Sequence, residues 1–341
     1  MAVNHVAVAH GGDIFAVART HGWDWREVLD FSANINPLGP SPRVRAAIVA
    51  AIERIVHYPE REPARLVAAL ARRWGLEETQ LLVGNGATEL IFFLARVSKW
   101  TSVTLALPVF SEFHRAFPHA CLADLLDPST WPRAGLLVLT RPANPSGWTL
   151  PAKILRDYID SSEAWVLVDE SFLEFSGLSS LASLIEAHPK LMVLRSLTKF
   201  YALPGIRVGA LVGSSEAVRQ WKEHREPWQV NVLAEEAALA AISDTDHALR
   251  SVDFVRNERT WLENRLRCLP GVEPIPSDVN FVSVRINYSA KALYAHLLAS
   301  KILIRNCVGW PGVTGEMVRL AVRRRDENEQ LLNVWREFKC D

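Results

Sequence analysis

Leu191-Met192-Val193-Leu194-Arg195-Ser196-Leu197-Thr198-Lys199-Phe200-Tyr201-Ala202-Leu203-Pro204-Gly205-Ile206-Arg207-Val208-Gly209 decides how the chain is read. It opens as an apolar strand and turns polar at once. Lys199 follows two hydroxyls and lies between apolar neighbours, with Arg207 downstream. A lysine held in a mostly apolar pocket loses solvation, its pKa falls, and the free amine can form a Schiff base. Ser196, Thr198 and Arg207 are donors of the kind gathered around a phosphate, the guanidinium acting as a fork. A Schiff-base lysine beside a phosphate clamp is what pyridoxal 5'-phosphate (PLP) requires. Taken alone, Lys199 reads more readily as a solvated lysine between two strands.

The strands upstream repeat the layout. Leu81-Leu82-Val83 leads into Gly84-Asn85-Gly86-Ala87-Thr88-Glu89 and a helix from Leu90 to Val97. A glycine turn at a helix start offers backbone N–H groups and the helix dipole to an anion, so Gly86, Ala87 and Thr88 form a second half of the clamp. The strand Val103–Leu107 runs into Pro108-Val109-Phe110, whose ring either stacks on a flat heterocycle or packs in the core. Leu136–Thr140 is followed by Arg141-Pro142-Ala143-Asn144-Pro145-Ser146-Gly147, either plain turn chemistry or a ligand loop at the end of a parallel strand. Trp165–Val168 ends in Asp169-Glu170, where Asp169 reads as a helix cap or a metal ligand. Apolar strands alternating with helices from 80 to 213 predict an α/β fold, a mainly parallel doubly wound sheet covered on both faces.

Outside that core, Ser41 caps a helix that starts at Pro42 and runs to about Ile55. A second helix spans about Pro63 to Trp74 and stops at Gly75. Residues 215–267 read as helical. From about 270 the texture becomes short strands at Asn280–Arg285, Ile302–Arg305 and Met317–Val322, with a helix from Asp326. The expected organisation is an amino-terminal arm (1–40) packing with a small α+β domain (246–341), and a large domain (41–245). Arg305 and Arg319 each sit in an apolar strand, and a buried arginine needs an anion, whether a structural carboxylate or a ligand. Arg323 belongs to the run Arg323-Arg324-Arg325, which suits solvent as well as a site.

At 341 residues the chain exceeds one typical domain. Its 38 basic residues match 38 acidic ones, so no bulk field favours nucleic acid or an anionic membrane. Cys121, Cys268, Cys307 and Cys340 form no Cys-x-x-Cys pair, which argues against a zinc site or a disulfide framework and fits a reducing compartment. No apolar run approaches a membrane span, and Met1-Ala2-Val3-Asn4-His5 lacks the charged and apolar regions of a signal peptide. A cytoplasmic protein is expected.

Together these motifs resemble the fold-type I PLP enzymes, the aspartate aminotransferase superfamily. Within it the chain is similar to the threonine-phosphate decarboxylase family of cobalamin biosynthesis, with histidinol-phosphate aminotransferases as near relatives. The likeness runs from His10 to about Glu329 and rests most specifically on His10-Gly11-Gly12, on Asp30-Phe31-Ser32-Ala33-Asn34-Ile35-Asn36-Pro37-Leu38-Gly39, and on Leu194–Ala202. It implies that Lys199 carries the cofactor and acts as general acid/base near Cα, and that Asp169 keeps the pyridine nitrogen protonated. It implies that Asn144 meets the phenolic oxygen and Phe110 stacks on the ring. Gly86, Ala87, Thr88, Ser196, Thr198 and Arg207 would hold the cofactor phosphate, joined across a homodimer interface by Tyr58. His10 and Asn34, on an arm reaching over the site, would meet substrate, as would Arg319 through its carboxylate and Arg305 and Arg323 at the same cleft. Phe172 departs from the pattern, replacing a tyrosine that aminotransferases aim at the phenolic oxygen. The implied reaction is decarboxylation of L-threonine O-3-phosphate to (R)-1-amino-2-propanol O-2-phosphate. A histidinol-phosphate aminotransferase using 2-oxoglutarate is the first alternative, and a non-catalytic binding module on the same fold is the second.

Overall fold

The computed structural model describes residues 11–339. They form two compact units: one made of Ile35–Asn144 and Trp148–Phe254, the other of the chain up to Asn34, Pro145–Gly147, and the chain from Val255 onward. The helix Thr245–Leu266 runs through the point where the division falls.

The first unit is built on a seven-stranded sheet, in the order Leu81–Gly84, Gly209–Val212, Leu191–Ser196, Trp165–Asp169, Leu136–Thr140, Val103–Leu107 and Cys121–Asp124. Gly209–Val212 is antiparallel to both its neighbours, and every other pairing is parallel. The mainly parallel α/β architecture expected from sequence is therefore present. Leu136–Thr140 and Leu191–Ser196 are buried at every position, as strands covered on both faces must be. Cys121–Asp124 escaped the sequence reading because this edge strand is mostly exposed and carries no apolar run. Leu90, Ile91, Leu94, Leu105, Val138, Leu167 and Leu211 pack into one core. Ser41 caps the helix Pro42–Ala51 as expected, its Oγ accepting from the Val44 N–H at 3.3 Å. The chain then tightens into a 3-10 turn, Ile52–Val56, instead of continuing as α-helix.

The second unit holds an antiparallel sheet in the order Arg305–Asn306, Met317–Ala321, Phe281–Ile286 and Val272–Ile275. The stretch expected to be one strand, Ile302–Arg305, is broken at Ile304. Ile302–Leu303 pairs in parallel with Leu29–Asp30, whereas Arg305–Asn306 pairs with Met317–Ala321. That switch of partners sets Arg305 directly opposite Arg319. Among the described residues, no helix is long and apolar enough to cross a membrane.

Candidate functional site

In an open α/β sheet the ligand ground lies beyond the carboxyl ends of the parallel strands. The first unit places its sequence-predicted residues there. Gly86 follows one strand, Phe110 the next, Asn144 another, Asp169 ends a fourth and Ser196 a fifth. Gly209 opens the antiparallel strand at the same edge, paired with both Gly84 and Ser196, which brings Arg207 alongside.

Ser196 caps the short helix Leu197–Phe200. Its Oγ lies 2.8 Å from the Thr198 Oγ1 and accepts from the Lys199 Nζ at 3.0 Å. Burial brings the Lys199 amine down from 10.5 to about 8, with Asp169 pulling it up and Arg207 pushing it down. Asp169 is 4% exposed, and its Oδ1 accepts from the Ser171 N–H at 2.9 Å. Burial raises the Asp169 carboxyl, against the opposing pull of Ser171 and Lys199. A carboxylate so poorly solvated gains from any cationic N–H brought to it, and a pyridinium is such a donor. Beside it in the sheet register, the buried Thr140 Oγ1 has no hydrogen-bond partner among the described residues.

The phosphate ground is shaped by glycines. Gly86 caps the helix Ala87–Val97 with no side-chain bond and a φ of +86°, so the first N–H groups of that helix point outward. A Cβ on Gly86 would come within 2.6 Å of the Arg207 guanidinium, and one on Gly209 within 2.7 Å of the Ala87 nitrogen. Arg207 itself has a φ of +65°, costly for a side-chain-bearing residue and repeatedly seen where function fixes the backbone. Backbone N–H groups, two hydroxyls and a guanidinium thus converge on a cradle that any larger residue at Gly86 would fill. Donor set and shape both fit PLP.

Three braces of this cluster escaped the sequence reading. Asn36 is buried: its N–H donates to the Lys199 carbonyl at 3.0 Å, and its Nδ2 donates to the Phe200 carbonyl and the Ser251 Oγ, both at 2.8 Å. Glu89 accepts from the Asn85 N–H at 3.1 Å and from the Arg225 Nη2 at 2.8 Å, which pins the glycine turn. Gly209 admits that turn. The Asn-rich loop was a visible signal for Asn36; the other two depend on register. Phe172, the departure noted above, is buried, and its ring centroid lies 5.8 Å from the Lys199 Nζ. Phe110 is half-buried at the margin of the core. Tyr58 does not join the cluster; it is 81% exposed, its ring 4.9 Å from that of Trp228.

The second unit gathers the arginines. Arg305 and Arg319 face each other across the strand pair, both buried, with guanidiniums 5.0 and 5.9 Å from the Trp310 ring. The Arg319 Nη2 donates to the Ser32 carbonyl at 2.8 Å. Burial lowers both, Arg319 to about 10. The buried Arg305 Nε has no hydrogen-bond partner among the described residues. Asn34, two residues past Ser32, has its Oδ1 buried and likewise without a partner there. Arg323 is engaged otherwise: it donates to the Asp30 carbonyl at 3.0 Å and pairs with Glu327. His10 lies outside the described residues, although Gly12 donates to the Ser32 Oγ at 2.8 Å. No cluster of His, Cys, Asp or Glu among the described residues is fit to hold a metal.

Similarity to known proteins places the chain in one family. Residues 119–334 match the family model for aminotransferase class I and II. The threonine-phosphate decarboxylase of Salmonella typhimurium is 32% identical over 348 residues, covering 96% of each chain. Histidinol-phosphate aminotransferase 2 of Archaeoglobus fulgidus is 32% identical over 334 residues, covering 92% of this chain and 94% of its own. The solved histidinol-phosphate aminotransferase of Sinorhizobium meliloti, in complex with pyridoxal-5'-phosphate, superposes with a TM-score of 0.84 at 22% identity, covering 98% of each chain.

Proposed function

This chain belongs to the class I and II aminotransferase family, and we propose that it is a PLP-dependent decarboxylase of L-threonine O-3-phosphate. It would release carbon dioxide and leave (R)-1-amino-2-propanol O-2-phosphate, the aminopropanol arm of cobalamin. The observation that carries this reading is the half-buried Lys199, whose Nζ donates to the Ser196 Oγ at 3.0 Å and whose lowered amine shares one cluster with Asp169 and the phosphate donors. The nearly equal likeness to a histidinol-phosphate aminotransferase leaves the choice of reaction to the substrate groups. Arg305 opposite Arg319 favours a substrate bearing both a carboxylate and a phosphate.

When bound, PLP supplies a conjugated sink for the electron pair left at Cα as the carboxylate departs. Lys199, its amine lowered by burial to about 8, would be the nucleophile that holds the cofactor and afterwards the acid that protonates Cα. Asp169 keeps a proton on the ring nitrogen, Asn144 donates to the phenolic oxygen, and Phe110 covers a ring face. Gly86, Ala87, Thr88, Ser196, Thr198 and Arg207 hold the phosphate. Arg319 takes the substrate carboxylate, and Arg305 its phosphate, with Asn34 beside them.

The active form we infer is a homodimer. Ile52, Ile55, Val56 and Tyr58 form an exposed apolar strip on the first unit, with Val56 77% exposed. A second copy covering it would bring Tyr58 to its neighbour's cofactor phosphate. Purified, PLP-loaded protein given L-threonine O-3-phosphate and no keto acid should release carbon dioxide steadily. Amino transfer from histidinol phosphate to 2-oxoglutarate, with no carbon dioxide, would replace this reading with the aminotransferase. Absence of any yellow, borohydride-reducible cofactor would leave only a binding module.

A further inference from the structure

Next to Asp169 stands a carboxylate that the chemistry above does not use. Glu170 is fully buried. Its Oε1 accepts from the Leu181 N–H at 2.9 Å, and its Oε2 accepts from the Ser180 hydroxyl. Two guanidiniums flank it: the Arg141 Nη1 lies 3.5 Å from Oε1, and the Arg195 Nη1 lies 3.9 Å from Oε2. Arg195 also pairs with Glu174 at 3.0 Å and lies over the Trp74 ring at 4.6 Å. Arg141 donates to the Leu150 and Ser179 carbonyls, each at 3.1 Å. Two arginines and two glutamates thus make a neutral quartet, almost wholly removed from water.

Where these residues sit in the chain matters more than their charge. Arg141 begins the loop that carries Asn144, Glu170 follows Asp169, and Arg195 precedes Ser196. Glu170 takes its partners from Arg141, Ser180, Leu181 and Arg195, none of them in the group gathered around Lys199. The backbone carries the same alignment: the Arg141 N–H donates to the Asp169 carbonyl, and the Glu170 N–H donates to the Leu194 carbonyl, both at 2.9 Å. We propose that Glu170 is a positioning residue that locks the three strand ends bearing Asn144, Asp169 and Ser196–Lys199 into one register. Burying charges costs more than an apolar contact of the same volume, so stability alone gives little reason to keep this quartet. Its gain is geometric, because a misplacement of about 1 Å at reacting groups can cost on the order of a hundredfold in rate.

The inference rests on the Lys199–Asp169 reading of the site but not on which bond at Cα breaks. The test is the pH midpoint for acylation of Lys199 in PLP-free protein, followed by peptide mass spectrometry, together with kcat of the loaded enzyme. Glu170→Asp keeps the charge and shortens the reach; Glu170→Gln keeps the reach and loses the charge. Both should move the Lys199 midpoint downward, since Asp169 is no longer held where it supports the ammonium. Both should lower kcat by roughly ten- to a hundredfold with little change in KM. Glu174→Gln, which removes the outer carboxylate of the same quartet, should lower the Tm and leave the Lys199 midpoint alone. Glu170→Asp and Glu174→Gln both keeping the wild-type midpoint would reduce the quartet to a structural brace and overturn the proposal, and so would an equal shift from Glu174→Gln. A wild-type protein that takes up no PLP would sink the cofactor reading, while the labelling midpoints would still decide whether Glu170 positions Lys199.

Discussion

The two polar clusters differ in what already opposes their charges. Around Lys199 the chain supplies its own counterparts: Asp169 faces the amine, the Pro204 carbonyl accepts from Arg207 at 3.2 Å, and Asn36 ties down the turn. Around Arg305 it does not. Arg305 stands across the strand pair from a second cation, and no carboxylate lies within ion-pair distance of it among the described residues. Among the described residues the Cys307 thiol and the Tyr294 hydroxyl act to offset it, and neither is an anion at neutral pH. Like charges directly opposite on paired strands destabilise a sheet. On the reading proposed above, a group that remains bound through every turnover would be met by a set the chain balances itself, and a group that comes and goes by one it balances only in part, through Asp30 beside Arg319. The first cluster has the makings of a cofactor seat and the second of a substrate seat.

The largest effect expected follows from removing the one residue that both binds and reacts. Lys199→Ala should cut turnover by about four orders of magnitude, as loss of a principal catalytic group does. PLP should still bind through the phosphate donors, visible as quenching of the tryptophan emission, but borohydride should no longer fix it to the chain. A variant that turns over normally would strip the Lys199 cluster of its role and break the comparison on that side.

The second cluster can be broken separately. Arg319→Met deletes a buried guanidinium that bonds the Ser32 carbonyl. Loss of one partner of a desolvated charged contact costs about 2 to 5 kcal/mol. The KM for L-threonine O-3-phosphate should therefore rise by at least about thirtyfold while PLP titration is unchanged. A weakened PLP affinity with an ordinary KM would exchange the functions of the two clusters.

How much of this was legible in sequence depends on whether a feature is local. The strand ends announced themselves, because an apolar run that stops at Asp169 or at Ser196-Leu197-Thr198-Lys199 is a contiguous pattern. Arg305 and Arg319 were legible as charges in apolar strands. Their opposition was not, since it follows from the break at Ile304, where one strand changes partners. Glu170 and Gly209 were missed for the same reason. Glu170 matters because register sets Thr140 beside Asp169 and Asp169 beside Leu194. Gly209 matters because a Cβ there would strike the Ala87 nitrogen. No spacing along the chain encodes such approaches between strands.

A smaller effect sharpens the first cluster from within. Gly86→Ala forces a side chain into a φ of +86° and toward the Arg207 guanidinium. Strain of this kind costs about 1 to 3 kcal/mol, so PLP affinity should fall by roughly five- to a hundredfold. Unchanged PLP affinity would remove the glycine turn from the cofactor seat.

The finest test concerns the sign of one electrostatic coupling. Burial holds the Lys199 amine near 8, and among its neighbours Asp169 raises that value while Arg207 lowers it. Asp169→Asn removes the anion and leaves the burial, so protonation of Lys199 should become harder and its midpoint should fall below 8. In PLP-free protein, acylation of Lys199 would then reach its plateau at a lower pH than in wild type. The opposite substitution in charge, Arg207→Met, should raise the midpoint, because a neighbouring cation has gone. Opposite shifts from the two variants would confirm that the seat is tuned by built-in charges of both signs. A midpoint indifferent to both would mean that burial alone sets the amine, and the balance that distinguishes this cluster from the arginine pair would have no bearing on its reactivity.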